Sequence, residues 1–244
     1  MPSIGVGQRK GGAVADLAGW WDDYFWGAMA VLRVFAVSLI MTVVFGLIGA
    51  TAKLSKSRIA NKIAGAYTIA FRGTPELLVL LIFYYGSAIT LTSITQIFFP
   101  QTQFVDIPPF WAGSLAIALI VGSYATETFR GAFLGVDPGL VEAARALGIS
   151  NLQTFFYVRI PQMWRLALPS FGNHMLSLMK DTALISIIGL EEILFVAEMA
   201  TAVTLKPFMM YMIVALIYLS ITTVITLVVM ALEKHANRHL EEAR

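Results

Sequence analysis

Glu76, Lys180 and Asp181 each stand within or beside a long apolar run, and their placement demands a chemical explanation. A charge at membrane depth is costly, so it faces a water-filled cavity or meets a partner. Glu76 follows Arg72-Gly73-Thr74-Pro75. Pro75 withholds a backbone N–H and Gly73 loosens the chain, so the spacing predicts a helix broken at this point. Broken helices are tolerated in a membrane where they line protein or water. Two readings of Glu76 follow: a carboxylate lining a pathway, or a structural pair with Arg72 at the membrane interface. Lys180 and Asp181 are adjacent, so on a helix they diverge by about 100° and should not both face one cavity squarely. Asp181 is therefore the candidate pathway group, and Lys180 is assigned to structural pairing or headgroup contact. An ionised carboxylate in such a place favours a positively charged cargo.

Other chemistries find little to work with. His174, His235 and His239 are the only histidines. His235 and His239 have the i,i+4 spacing that metal sites use, but they lack a nearby third ligand and sit in a charged tail, which reads as a solvated helix; no metal site is expected. No G-x-x-x-x-G-K-[ST] phosphate loop occurs, and no Ser/His/Asp set is placed for nucleophilic attack. The absence of cysteine excludes disulfides and thiolate ligands. Glu127 with Arg130, and Glu191 with Glu192, are expected at solvated ends of apolar spans.

A second polar feature is Glu142-Ala143-Ala144-Arg145-Ala146-Leu147-Gly148, followed by Ile160-Pro161. Asp137 suits an N-cap, Pro138 suits a first helical turn, and Gly148 suits the stop. Ser150 and Gln153 have capping-box spacing, so a second helix should start at once. The result is a helix–turn–helix knob with small residues at Ala143, Ala144 and Ala146, suited to docking against another protein.

The elements that hold these residues are membrane helices. The chain of 244 residues is 58% hydrophobic and 13% charged, with a mean hydropathy of +0.76. Soluble domains carry about 25% charged residues. The net charge of +2 is too small to argue for a nucleic-acid partner, and none is expected. Five stretches approach the roughly 20 apolar residues that a span needs: 26–52, 63–99 with its interruption at 72–76, 107–125, 166–190 interrupted at Lys180-Asp181, and 207–232. Lys53, Lys56, Arg58 and Lys62 follow the first stretch, Arg130, Arg145, Arg159 and Arg165 the third, and Lys234 and Arg238 the fifth. The connections 87–110 and 191–206 hold few cations. Positive charge marks the cytoplasmic side, so the Glu142 segment and the C-terminus are expected inside and the N-terminus outside. Arg9, Lys10 and Arg33 run against this and are outnumbered. Residues 1–25 do not read as a signal peptide; Trp20, Trp21, Tyr24 and Trp26 suit an interfacial belt.

Glu142-Ala143-Ala144, Gly148 and Ile160-Pro161 resemble the EAA loop of ABC-transporter permease subunits. Arg72-Gly73-Thr74-Pro75, the run from Glu127 to Ala132, Leu168-Pro169, Asp181-Thr182-Ala183-Leu184 and Ile188-Gly189-Leu190 narrow the resemblance to polar amino acid permeases. Gly46 to Ala50, Lys53-Leu54-Ser55 and Thr126 to Phe133 are similar in particular to the Q-type subunits of histidine, lysine/arginine/ornithine and opine importers. The resemblance runs from about Ala30 to Ala231. It implies an all-α polytopic membrane protein with the type I importer fold, in a bacterial inner membrane. The implied partners are two ATPase subunits, an M-type permease and a periplasmic binding protein, with ATP and Mg on the ATPase and no cofactor in this chain. The EAA loop is the coupling helix in that family, which assigns Glu142, Ala143, Ala144 and Gly148 to ATPase coupling. Glu76, Asp181 and Thr182 form the candidate substrate pathway. The expected division is an extracytoplasmic or interfacial extension over 1–25, a transmembrane domain over 26–232 and a cytoplasmic tail over 233–244. A secondary transporter should show inverted repeats and matching broken spans; the two breaks here differ in chemistry and have no repeat around them. A scaffold subunit that does not touch substrate stays open. The expected topology has a direct check: reporter fusions after Ser87 and after Arg238 should report opposite sides of the membrane, and the same side for both would contradict it.

Overall fold

The structure, a computed structural model, describes residues 19–105 and 107–241. Over these residues the chain is helical: α1 (Trp21–Leu54), α2 (Arg58–Gly73), α3 (Glu76–Phe98), α4 (Pro109–Leu134), α5 (Pro138–Ala146), α6 (Asn151–Thr154), α7 (Ile160–Asp181), α8 (Ile193–Thr204) and α9 (Pro207–Glu241). A π-turn, Phe155–Arg159, joins α6 to α7, and a 3₁₀ segment, Thr182–Ile188, extends α7. Among the described residues, α1, α3, α4 and most of α9 are long and apolar enough to cross a membrane. The fourth expected span, 166–190, is realised differently. Its charges and polar groups lower the hydropathy of α7, yet α7 and its 3₁₀ extension run the length of α4 in the opposite direction. Phe155 stacks on Phe133 at one end, and Ile185 meets Gly113 at the other.

The predicted break in the second stretch is present. Helix α2 ends at Gly73, Thr74 and Pro75 are extended, and α3 starts at Glu76. Pro161 explains the π-turn: a proline ring crowds the carbonyl four residues back, and widening the turn relieves it. The connection expected over 191–206 contains α8, whose apolar residues pack on α1 and α9.

With lipid as solvent, burying oil gains little between helices, so small residues that permit close approach decide which helices meet. Val31, Val34, Ser38, Thr42, Gly46, Gly49 and Ala50 form the buried stripe of α1. This stripe lies along α4 in parallel register: Ser38 Oγ donates to the Ser114 carbonyl at 3.2 Å, Gly46 faces Ala125 and Phe129, and Gly49 faces Thr126. Tyr24 at the start of α1 donates to the Met210 carbonyl near the start of α9 at 3.2 Å. Helices α1, α4 and α9 thus run the same way, and the cationic clusters that follow them gather at one end. Residues 1–18 lie outside the described residues. Of the four aromatic residues proposed for a belt, Trp21 and Trp26 are exposed, whereas Tyr24 is buried and Trp20 packs against the core. The tyrosine turns inward because its hydroxyl finds an acceptor there.

A Cβ on Gly46 would stand 2.8 Å from both Ala125 Cβ and Phe129 Cε2, whereas one on Gly65 would meet nothing within 4 Å. Gly46→Ala should therefore lower thermal stability in detergent, by about 1–3 kcal/mol from overpacking. Gly65→Ala should be neutral or stabilise by about 0.5–1 kcal/mol. Equal melting temperatures for the two variants would contradict the close α1–α4 contact.

Candidate functional site

Glu76, Ile120, Val121, Tyr124, His174, Ser177, Lys180 and Asp181 line one cavity of about 340 Å³. The break at 73–75 delivers Glu76 to it, and the end of α7 delivers Lys180 and Asp181. Both charges of that pair line the cavity, against the expectation that only Asp181 would. Both residues lie within α7, and the long lysine side chain reaches around the helix to the cavity that Asp181 lines. Glu76 and Arg72 form no ion pair; among the described residues the ion pairs are Lys53–Glu127 and Arg130–Glu127. Thr182 lies elsewhere: its hydroxyl donates to the Met179 carbonyl at 2.7 Å, and the residue is buried behind the cavity wall. His174 joins the site without having been singled out, its Nε2 2.9 Å from Thr128 Oγ1. Two acids, one lysine and a histidine give this wall an excess of negative charge.

A second cavity, of about 440 Å³, is lined by Lys53, Thr68, Ile69, Arg72, Gly73, Tyr124 and Glu127. Tyr124 is common to both cavities. On α4, Val121, Tyr124 and Glu127 recur at intervals of three, so one face of one helix walls both chambers. The Arg72 guanidinium lies over the Tyr124 ring, 5.2 Å from its centroid. Lys53 donates to Thr68 Oγ1 at 2.6 Å and to Glu127 Oε1, and Arg130 Nε donates to Glu127 Oε2 at 2.9 Å. Glu127 and Arg130 are therefore half-buried network members and not the solvated ends expected. Lysine at the end of α1 lies beside the end of α4 because the two helices run parallel, which no pattern in the sequence announces.

Glu192 departs further from expectation. It is fully buried, caps α8 by accepting from Leu194 N–H at 2.9 Å and Phe195 N–H at 3.3 Å, and accepts from the Tyr218 hydroxyl at 3.2 Å. The sequence signal was available, since an acidic residue before Ile193-Leu194-Phe195-Val196 fits an N-cap. Glu191 stays exposed.

The helix–turn–helix is formed as the capping residues dictate. Asp137 Oδ1 accepts from Gly139 N–H at 2.8 Å. Gly148 has φ +78°, its N–H bonds to the Arg145 carbonyl at 2.9 Å, and Ile149 N–H reaches the Ala144 carbonyl at 3.1 Å, which is the glycine-ended Schellman arrangement. Ser150 and Gln153 make the capping box reciprocally. Glu142, Ala143, Arg145, Ala146, Leu147 and Gly148 are exposed, while Ala144 is buried against its own chain. The outward face is thus Glu142, Ala143 and Ala146, with Leu147 projecting and 80% exposed.

Residues 42–240 match the family described as binding-protein-dependent transport system inner membrane component. The chain is 40% identical over 208 residues to the histidine/lysine/arginine/ornithine transport system permease protein HisQ of Salmonella typhimurium, covering 85% of this chain and 90% of that one. It is 38% identical over 221 residues to the nopaline transport system permease protein NocQ of Agrobacterium fabrum, covering 91% and 94%. The crystal structure of an amino acid ABC transporter with histidines superposes with a TM-score of 0.76 at 29% identity, over 93% of this chain and 100% of that chain.

Proposed function

The chain belongs to the inner-membrane components of binding-protein-dependent transport systems, and we propose that it conducts a basic amino acid or an arginine-derived opine inward through the acidic cavity. It is a multi-pass permease subunit of an ABC importer; ATP hydrolysis belongs to a separate ATPase, and a substrate-binding protein delivers the cargo. The observation that carries the cargo reading is the convergence of Glu76 and Asp181, from the start of α3 and the end of α7, on one cavity. Two carboxylates against one lysine favour a cation. The relatives' substrates agree: histidine, lysine, arginine and ornithine for one, nopaline for another. Thr182 acts behind the wall, holding the α7 end that carries Asp181.

The rest of the assembly follows from the same reading. The membrane core pairs this chain with an M-type permease, two ATPase subunits attach from the cytoplasm, and ATP and Mg reside on them. The exposed Glu142–Gly148 knob docks an ATPase, with Ala143 permitting close approach and Ala144 anchoring the knob to the chain. Residues 1–25 stay outside or at the interface, 26–232 span the membrane, and 233–244 reach the cytoplasm. The gathering of cations at one end of α1, α4 and α9 supports this orientation.

One vesicle assay of the whole importer tests both halves of the proposal. Glu76→Gln and Asp181→Asn keep shape and remove charge, so they should cut uptake of arginine-like cargo about tenfold or more while assembly persists. Gly148→Val strains a left-handed turn, and should leave insertion intact while uncoupling hydrolysis from uptake. Parental arginine uptake in both acidic variants would reject the cavity as the cargo reader. Parental coupling in Gly148→Val would reject the knob as the docking element.

A further inference from the structure

We propose that Arg72 is the carboxylate-binding residue of a second cargo subsite, in the cavity that shares Tyr124 with the one lined by Glu76 and Asp181. This rests on the cargo pathway proposed above and adds to it a place for the other end of the molecule.

The charges of the second cavity identify its ligand. Its wall holds two cations, Lys53 and Arg72, and one acid, Glu127. Both oxygens of Glu127 are already engaged, Oε1 by Lys53 and Oε2 by Arg130. Lys53 also donates to Thr68. Among the described residues, Arg72 is the cation of this wall that has no acidic partner. Its guanidinium is nonetheless held in place, 5.2 Å above the Tyr124 ring. A guanidinium held over a ring by cation–π attraction keeps N–H donors that the ring does not use, and its fork suits a carboxylate through two parallel hydrogen bonds. A lysine at this position would supply charge without that fork.

Position gives the second half of the argument. Gly73 lines the Arg72 cavity and Glu76 lines the other, so the short extended stretch between α2 and α3 passes from one to the other. Tyr124 belongs to both walls. The wall that holds Arg72 and the wall that holds Glu76 and Asp181 therefore adjoin at a single ring. The matching ligand has a carboxylate at one end and a cation at the other, which describes a basic α-amino acid. The Arg72–Tyr124 pair fixes its polarity in the pathway: α-carboxylate toward Lys53, basic side chain toward Asp181.

The test uses the assembled importer in lipid nanodiscs, without binding protein, and measures equilibrium binding of radiolabelled L-arginine in competition with agmatine. Agmatine keeps the guanidinium and lacks the carboxylate. The parental importer should prefer arginine by at least about tenfold. Arg72→Gln should reduce arginine affinity to that of agmatine and leave agmatine binding unchanged, and Arg72→Lys should recover part of the preference. An unchanged arginine-to-agmatine ratio in Arg72→Gln, including equal loss of both ligands, overturns the proposal. If the parental importer binds L-glutamine and not arginine, the basic-cargo reading fails by itself. Arg72 is then judged from glutamine against L-glutaminamide, where loss of that preference in Arg72→Gln sustains the subsite. Binding of neither amino acid rejects both.

Discussion

Helices α1 and α4 approach closely because glycine stands on one wherever a side chain from the other needs room. Gly46 faces Ala125 and Phe129, and Gly49 faces Thr126. The contact is parallel, so Lys53 at the end of α1 comes to rest beside Glu127 near the end of α4. The same helix α4 carries Val121 and Tyr124, which wall the acidic cavity. Were the two helices a few ångströms further apart, the lysine–glutamate contact would be lost and Arg130 would be left as the sole partner of Glu127. In a low-dielectric setting an ionised group that loses its partner is expensive, so the charge network and the helix packing specify one another.

The polar groups divide into those that are mutually satisfied and those that are left outside any ion pair. Lys53, Thr68, Glu127 and Arg130 satisfy one another, and Glu192 is satisfied by two backbone N–H groups and Tyr218. Glu76, Asp181, Lys180 and Arg72 are not consumed in ion pairs among the described residues. On the function proposed above, this split separates architecture from transport more sharply than depth in the membrane does. Glu192, fully buried, is architectural, while Glu76, exposed at a helix break, faces the cavity.

The features legible in the sequence are those governed by local rules. Pro75 and Gly73 announced the break, Asp137 and Gly148 bounded α5, and Ser150 with Gln153 announced the next helix. Runs of apolar residues gave four of the spans. The fourth stretch, 166–190, falls short of a continuous apolar span because Lys180, Asp181 and the 3₁₀ segment disrupt it. The features that were missed depend on what faces what across the bundle. Lys53 and Glu127 are 74 positions apart, and nothing in the spacing of either indicates the other. Lys180 was assigned away from the cavity by an ideal-helix argument, which takes no account of how far a long lysine side chain reaches around its helix. Helix α8 was overlooked because the neighbouring cation count describes sidedness and not structure.

The central claim is that cargo passes through the acidic cavity of this chain. Because the chain contains no cysteine, Ser177→Cys puts its single thiol in that cavity wall. The measurement is the rate at which a small cationic methanethiosulfonate labels this subunit in vesicles of the whole importer during ATP-driven uptake. The account predicts labelling that slows several-fold when arginine-like cargo is transported and is unaffected by an amino acid that is not. A labelling rate indifferent to transported cargo would contradict it.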